Sequence, residues 1–268
     1  MSIGCYILLQ NPKTNNYPYL ECINSMLDIF DEILIVDGGT IDGSFDSLKD
    51  PRIKFIKRDW KDDADWDFLT QQYDYGLQNL KTDWRVKIDA DYVFHQDDIQ
   101  AIKDFLEANQ DKKIISFEKA SFNLIDRYRS KTKVGLAVNH LHFPNIHWNT
   151  DDKYQDSDEV LEEGTWTPSG IKVYNYDNCF KTKENISKVM YKFAKAVANK
   201  YGKNWGYESP EAALKFFIDS VRTRLDAHNQ SEIPLEEHPK YIQEKIKNMT
   251  DKQMGYSLFG YQKASYFK

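Results

Sequence analysis

Two short apolar runs that each end in aspartate constrain this chain more than any other feature. The first is Ile33-Leu34-Ile35-Val36-Asp37, followed by Gly38-Gly39-Thr40-Ile41-Asp42-Gly43; the second is Val86-Lys87-Ile88-Asp89-Ala90-Asp91. Such runs, rich in β-branched residues and stopped by Gly or Asp, read as strands. The C-terminal ends of strands form the ligand crevice of an open α/β sheet. Carboxylates at two such ends suit a nucleotide with a divalent cation. An Asp-x-Asp pair offers hard oxygen ligands to Mg²⁺ or Mn²⁺, and an ion held there can carry a diphosphate.

The surrounding pattern supplies the rest of such a sheet. Strands are predicted at Ile3–Leu9, Glu32–Val36, Ile53–Ile56, Trp84–Ile88 and Ile114–Phe117. Helical spacing covers Tyr17–Phe30, Asp65–Leu80 and the stretch from Asp97-Asp98 to Ala108. This alternation is that of a doubly wound α/β layer structure. After Asn123 the pattern loosens, and His140–Gly170 has little periodicity. That length exceeds an ordinary connection, so a functional loop region or short strands are expected there. Ile171–Tyr176 alternates like a strand. Helices are then expected over Lys183–Asn199, Pro210–Leu225 and Pro239–Met249. The expected organisation is an α/β domain over residues 1–180 and a helical extension over 181–268 packed on it.

Composition removes several classes of function. The 268 residues are 41% hydrophobic and 14% aromatic, enough for a sizeable core and against wholesale disorder. A net charge of −6 gives no global attraction to nucleic acid or anionic lipid. Three cysteines (Cys5, Cys22, Cys179) without metal spacing fit a reducing compartment. No stretch approaches a membrane span, and the opening apolar run lacks a basic leader region. These features point to a soluble, cytoplasmic protein, in which the sequons at Asn185, Asn229 and Asn248 would be incidental.

Val36-Asp37-Gly38-Gly39-Thr40-Ile41-Asp42-Gly43-Ser44 resembles the V-D-(D/G)-G-S-x-D-G-T signature of family 2 glycosyltransferases with the GT-A fold. Trp84 to Asp91 resembles their W-x-x-x-x-D-A-D strand and metal motif, in the right order and at a typical distance. Between them, Phe68 and Tyr75-Gly76-Leu77 resemble a segment that normally contains Arg-Asn, which this chain lacks; its contacts do not transfer. The resemblance implies a mixed, Rossmann-like sheet flanked by helices. It also implies a metal-dependent, inverting transfer of sugar from a nucleotide-diphosphate donor, most simply a UDP-sugar, to an acceptor hydroxyl.

Residue by residue, the resemblance has Asp37 accept a hydrogen bond from the nucleobase, while Asp42 shapes the same loop or approaches the ribose. Gly38, Gly39 and Gly43 would let the backbone come close to the ligand. An Asp-Gly-Gly turn alone would also explain Asp37. Asp91 would ligate Mn²⁺ or Mg²⁺, and Asp89 would contact the ribose or a metal-bound water. Lys87 would either assist the phosphates or face solvent. His238, in Glu236-Glu237-His238-Pro239, is a candidate third ligand, with helix capping as the alternative. Its interest rises because Asn175, in Tyr174-Asn175-Tyr176, stands where some family members carry a histidine.

Inversion needs a carboxylate to deprotonate the acceptor. Asp158-Glu159-Val160-Leu161 resembles the family's His-Glu-x-Leu base motif, so Glu159 is the first candidate and Asp158 the second; a solvated acidic run is the alternative. His140, His142 and His147 mimic zinc spacing but lack a fourth ligand, which favours acceptor contacts or structural hydrogen bonds. Trp148 and Trp166 are candidates for stacking on a sugar or base.

A nucleotidyltransferase also uses paired aspartates and a cation. It usually adds a glycine-rich basic loop, absent from Leu9-Gln10-Asn11-Pro12-Lys13. A third reading is a non-catalytic nucleotide-sugar-binding protein. The acceptor, whether glycan, protein or modified DNA base, stays open. Extruding a base would need a basic groove, for which Arg127–Lys133 is the one basic cluster.

Overall fold

A computed structural model describes residues 1–61, 65–227 and 230–267. Asn229 lies outside the described residues. The first half runs β1 (Ile3–Leu9), α1 (Tyr19–Leu27), β2 (Glu32–Asp37), β3 (Ile53–Lys57), α2 (Trp66–Asn79), β4 (Trp84–Ile88), β5 (Tyr92–Phe94) and α3 (Ile99–Ala108). The long hairpin β6 (Ile114–Leu124) and β7 (Arg127–Asn139) follows, then β8 (Ile146–Trp148), β9 (Tyr154–Asp156), β10 (Glu159–Val160) and β11 (Thr167–Asn175). The chain continues with α4 (Lys183–Tyr201), α5 (Pro210–Asp226), β12 (Ser231–Glu232), α6 (Lys240–Lys247) and α7 (Met254–Ser257).

The main sheet has the order β3-β2-β1-β4-β7-β6-β11-β5, with β12 paired to β7. Strands β3, β2, β1 and β4 are parallel. Their central members are apolar because helices cover both faces. Ile33, Ile35, Cys5 and Ile7 pack toward α1 and α3, whereas Tyr6 and Leu34 pack with Leu77 and Leu80 of α2. From β7 onward the sheet is mixed, with β7 antiparallel to both β4 and β6.

The segment that loses helical and strand periodicity after Asn123 is this hairpin. Strand pairing continues to Leu124, turns at Ile125-Asp126 and returns through the basic run. Arg127, Tyr128, Arg129 and Ser130 alternate along a half-buried strand, which a reading by charge alone takes for a loop. The basic cluster proposed for a nucleic-acid acceptor is therefore a strand hydrogen-bonded along its length. The irregular His140–Gly170 stretch contains a small antiparallel sheet, β10-β9-β8.

Local chemistry explains the helix starts. The Asp65 carboxylate accepts from the Phe68 amide at α2, Thr182 caps α4 and Ser209 caps α5 just before Pro210. Gly202, at φ +63°, ends α4 in the left-handed region. The C-terminal elements share a core with the sheet: Ile233, Ile242, Ile246 and Met249 pack with Val93, Ala120 and Phe122. No helix among the described residues is long and apolar enough to cross a membrane.

Candidate active site

Parallel pairing sets the geometry. Leu9 aligns with Asp37 across β1 and β2, and Ile7 aligns with Ile88 across β1 and β4. The tips that carry Asp37 and Asp89 to Asp91 thus lie on one sheet edge, two strand spacings apart, on the order of 10 Å. A cleft of about 1720 Å³ opens along that edge, with Gln10, Trp60, Lys87, Asp89, Asp91 and Asn175 in its lining.

The Asp37 carboxylate is engaged within its own loop, where Oδ1 accepts the Gly39 amide at 3.1 Å and the Thr40 amide at 2.8 Å. Gln10 Nε2 donates to the Gly38 carbonyl at 2.9 Å and ties this loop to β1. Gly38 lies against the Trp60 ring, and a Cβ there would sit 2.6 Å from it. Gly39 has φ +93°. Asp42 accepts from the Thr14 amide at 2.9 Å and from the Ser44 amide and hydroxyl. Its partial burial pushes the carboxyl pKa up, but the Ser44 and Thr14 hydrogen bonds outweigh that and hold it low. Asp37, Gly38, Gly39 and Asp42 build the loop; none lines the cleft, whereas Trp60 does, with its indole N–H buried and unpartnered.

On the β4 tip, Lys87 Nζ lies 3.0 Å from Asp89 Oδ1 and 4.4 Å from the centre of the Tyr73 ring. Burial alone would lower the lysine pKa, but the Asp89 charge raises it above the ordinary value. Burial likewise opposes ionisation of Asp89, and Lys87 more than offsets it, so that carboxyl stays low. Asp91 differs. It is 6% exposed and accepts one hydrogen bond from Asn175 Nδ2 at 3.0 Å. Burial, with the nearby charges of Asp177 and Asp89, pushes it up to about 7 against the partial relief of Lys181. The Tyr176 amide donates to the Asp91 carbonyl at 2.9 Å and locks this turn to the end of β11.

Lys181 and Asp177 were not legible as site residues in the sequence. Lys181 is buried, with its ammonium 2.5 Å from the Asp177 carbonyl and 4.1 Å from the Tyr17 ring centre. The i, i+4 spacing of Asp177 and Lys181 is the sole sequence signal for the pair. Asp152, between β8 and β9, was also missed. It lines the cleft at φ +60°, and burial pushes its carboxyl up against the lowering charge of Lys87. The facing wall is α4, which turns Lys188, Lys192 and Lys195 into the cleft.

Two expectations require correction, those for His238 and for Glu159 with Asp158. His238 is fully buried away from the Asp-x-Asp turn, with Nδ1 2.8 Å from the Tyr176 hydroxyl and Nε2 2.8 Å from the Tyr266 hydroxyl. Both ring nitrogens are occupied, so it is not brought to Asp91. Glu159 pairs with Lys113 at 2.7 Å on exposed β10, and Asp158 is exposed beside it; neither lines the cleft. The neighbouring carboxylates that do are Glu162, held by Lys153 at 2.9 Å, and Glu163. The three histidines of the irregular segment do not converge: His140 Nε2 bonds the Ile146 carbonyl and His147 Nδ1 the Asn145 carbonyl. Trp148 and Trp166 both line the cleft, with their indole N–H groups donated to the Tyr6 hydroxyl and the Leu161 carbonyl.

A sequence model of Glycosyl transferase family 2 matches residues 15–167, more than half of the chain and spanning both aspartate-tipped strands. The chain belongs to glycosyl transferase family 2. Its sheet is that of the GT-A fold, and the protein is a glycosyltransferase. Similar solved structures include residues 1–349 of TarS from S. aureus in complex with UDP, at 12% identity and TM-score 0.45, covering 85% of this chain and 83% of that one. The mannosyltransferase PcManGT from Pyrobaculum calidifontis, solved with GDP-Man and Mn²⁺, is similar at 10% identity and TM-score 0.45, covering 85% and 76%. No curated protein matches the sequence.

The donor set is tested by its own chemistry. Among the described residues, no group of three or more His, Cys, Asp or Glu side chains is arranged as a ready metal site. Asp91 nonetheless carries carboxylate oxygens near two further carboxylates, Asp177 and Asp89, whose charges add to the larger effect of burial in raising its pKa, against the partial relief of Lys181 and Lys119. Hard oxygens with excess negative charge fit Mg²⁺ or Mn²⁺.

Proposed function

We propose that this glycosyltransferase moves a sugar from a nucleotide-diphosphate donor, UDP-sugar first among those to test, to an acceptor hydroxyl with inversion. The observation that carries this is that Asp91, Asp89 and Asp177, whose charges act on one another, line a single cleft at the ends of the parallel strands together with three lysines of α4. A divalent cation held by Asp91, with Asp89 or Asp177 beside it, would supply Lewis-acid stabilisation of the diphosphate leaving group.

The chain's own residues do the rest. Lys87 keeps Asp89 ionised and oriented, and Asn175 orients Asp91. Trp60, packed on Gly38 of the Asp37 loop, brings an aromatic ring to the cleft lining, on which a nucleobase would stack. Lys192 and Lys195, with Lys188 paired to Glu184 at 2.6 Å, bring positive charge to the cleft lining, which suits an anionic donor and its departing diphosphate. Asp152 is the cleft carboxylate whose raised pKa suits it to take the acceptor proton as the hydroxyl attacks the anomeric carbon. The earlier candidates for that step, Glu159 and Asp158, are held outside the cleft.

The decisive experiment is thermal unfolding with UDP and GDP, each with and without Mn²⁺. A ligand that binds only the folded state raises the midpoint with its occupancy. The expected result is a Mn²⁺-dependent rise with one nucleotide that Asp91→Ala abolishes. No response to either nucleotide overturns the donor assignment.

A further inference from the structure

We propose that a row of aromatic rings leading out of the cleft over α4 and α5 binds a glycan chain, the extended part of the acceptor. This rests on the glycosyl-transfer reading above and names the substrate class for it. The row begins with Trp66 of α2 and Phe193 of α4, which line the cleft with ring centres 5.6 Å apart. It continues outside to Trp205, 5.7 Å from Phe193, and ends on Phe216 of α5, 5.9 Å further and nearly parallel at 15°. These are the distances of aromatic rings in contact, so the four rings form one continuous row.

These rings are not spent on a core. Phe193 is 38% and Phe216 41% exposed, Trp66 and Trp205 are half-buried, and exposed Tyr201 lies 6.4 Å from Trp66. Contiguous exposed apolar surface of this kind marks an interaction site. The loop that presents Trp205 is built to hold it. Asn204 accepts the Gly206 amide at 2.9 Å and donates to Glu208 at 2.7 Å. Gly206 sits at φ +81°, where a Cβ would lie 2.5 Å from the Ala212 carbonyl oxygen. Only glycine lets this loop lie flat on the start of α5.

The chemistry around the outer end selects the occupant. A groove of about 440 Å³ beside Phe216 is lined by Asn204, Lys215, Asp219, Ser220 and Thr223. Amide, hydroxyl and carboxylate groups next to a ring face match a sugar, which presents C–H groups on one face and hydroxyls at its edge. Lys215 pairs with Asp219 at 2.6 Å and Thr223 donates to the Asp219 carbonyl at 2.9 Å, so these groups are fixed in place with acceptor capacity left for hydroxyl groups. Continuity with the cleft places a chain bound here so that its end reaches the reaction centre.

The test uses the full chain and three probes: cellohexaose, chitohexaose and maltohexaose, titrated against tryptophan fluorescence and checked by calorimetry. Neither Trp205 nor Phe216 lines the donor cleft, so binding of nucleotide diphosphate with Mn²⁺ is measured in parallel. The expected result is saturable binding of at least one hexasaccharide, weakened roughly tenfold or more by Trp205→Ala and by Phe216→Ala and largely retained by Trp205→Phe. Nucleotide binding is expected to stay unchanged in all three variants. Failure of all three hexasaccharides to bind at millimolar concentration overturns the proposal, as does binding indifferent to both alanine variants. Trp205-dependent binding to phosphatidylglycerol vesicles without hexasaccharide binding overturns it in favour of a membrane surface. Loss of nucleotide binding in the wild type instead strikes the donor reading, which is how the two failures are told apart.

Discussion

Asn175 Nδ2 donates to Asp91 Oδ1 at 3.0 Å, and through that one bond the end of β11 holds the carboxylate left unbalanced at the mouth of the β4 strand. Eighty-four positions apart in the chain, the two residues meet because the Tyr176 amide also bonds the Asp91 carbonyl. The hydrogen bond orients a carboxylate that burial and its neighbours would rather keep protonated.

That tension has a stability signature. An acid whose folded-state pKa is raised from 3.8 to about 7 binds more protons folded than unfolded between those values. Stability of the metal-free protein therefore falls as pH rises through that window, by on the order of 4 kcal/mol in the limit. Asp91→Asn, which keeps an acceptor for Asn175, is expected to raise the urea midpoint at pH 8 and leave it unchanged at pH 4. Equal stability of the two proteins at pH 8 would refute the account, and Mn²⁺ should stabilise the wild type alone.

Buried His238 and His140 act in the opposite direction. Desolvation pushes both down to about 4, so each stays neutral in the fold while the unfolded chain protonates near 6.5. Stability they leave intact above 6.5 is lost as pH falls toward 4, at roughly 3 kcal/mol per residue. His238→Gln should lower the midpoint at pH 8 by breaking the Tyr176 and Tyr266 bonds, yet flatten the loss between pH 6.5 and 4. An unchanged acid slope in that variant would show that His238 is not the titrating group.

The Lys87–Asp89 pair is a case for a double-mutant cycle. Lys87→Met leaves Asp89 without its partner, and the carboxylate side chain is one-third exposed, so the expected loss is about 1–3 kcal/mol rather than that of a fully buried pair. Asp89→Asn in the same background should recover much of it. Additive losses would mean that the two groups are independent.

The site's proton chemistry separates two carboxylates. Asp152→Asn is expected to cut transfer by 10²–10⁴-fold or so with donor binding retained, whereas Glu159→Gln should change transfer less than about twofold. The reverse ranking, read from initial rates with saturating donor, would return the role to Glu159.

Close packing of the donor loop is testable without an acceptor. Gly38→Ala places a methyl group 2.6 Å from the Trp60 ring. The ring must move, at a cost of about 1–3 kcal/mol, and nucleotide affinity should fall with it. Retained affinity would show that Trp60 takes no part in binding.

The sequence by itself determined the family, the GT-A sheet and the aspartate-tipped strands, because strand chemistry is local: β-branched runs, glycine stops and capping residues carry their own structural preference. Parallel pairing of β2, β1 and β4 then followed from the alternation with helices. Tertiary structure alone decided which side chains share the cleft. His238 has the right residue type and flanks for a metal ligand, yet the C-terminal core claims both of its ring nitrogens. Glu159 stands in an acidic run whose members look alike in sequence, and a two-residue strand turns it to Lys113 while Glu162 and Glu163 face inward. Lys181, Asp177 and Asp152 enter the site through contacts with residues remote in the chain. Charge and burial at such contacts are properties of the packed molecule, and the i, i+4 spacing of Asp177 and Lys181 signals a pair without saying that it lies at the site.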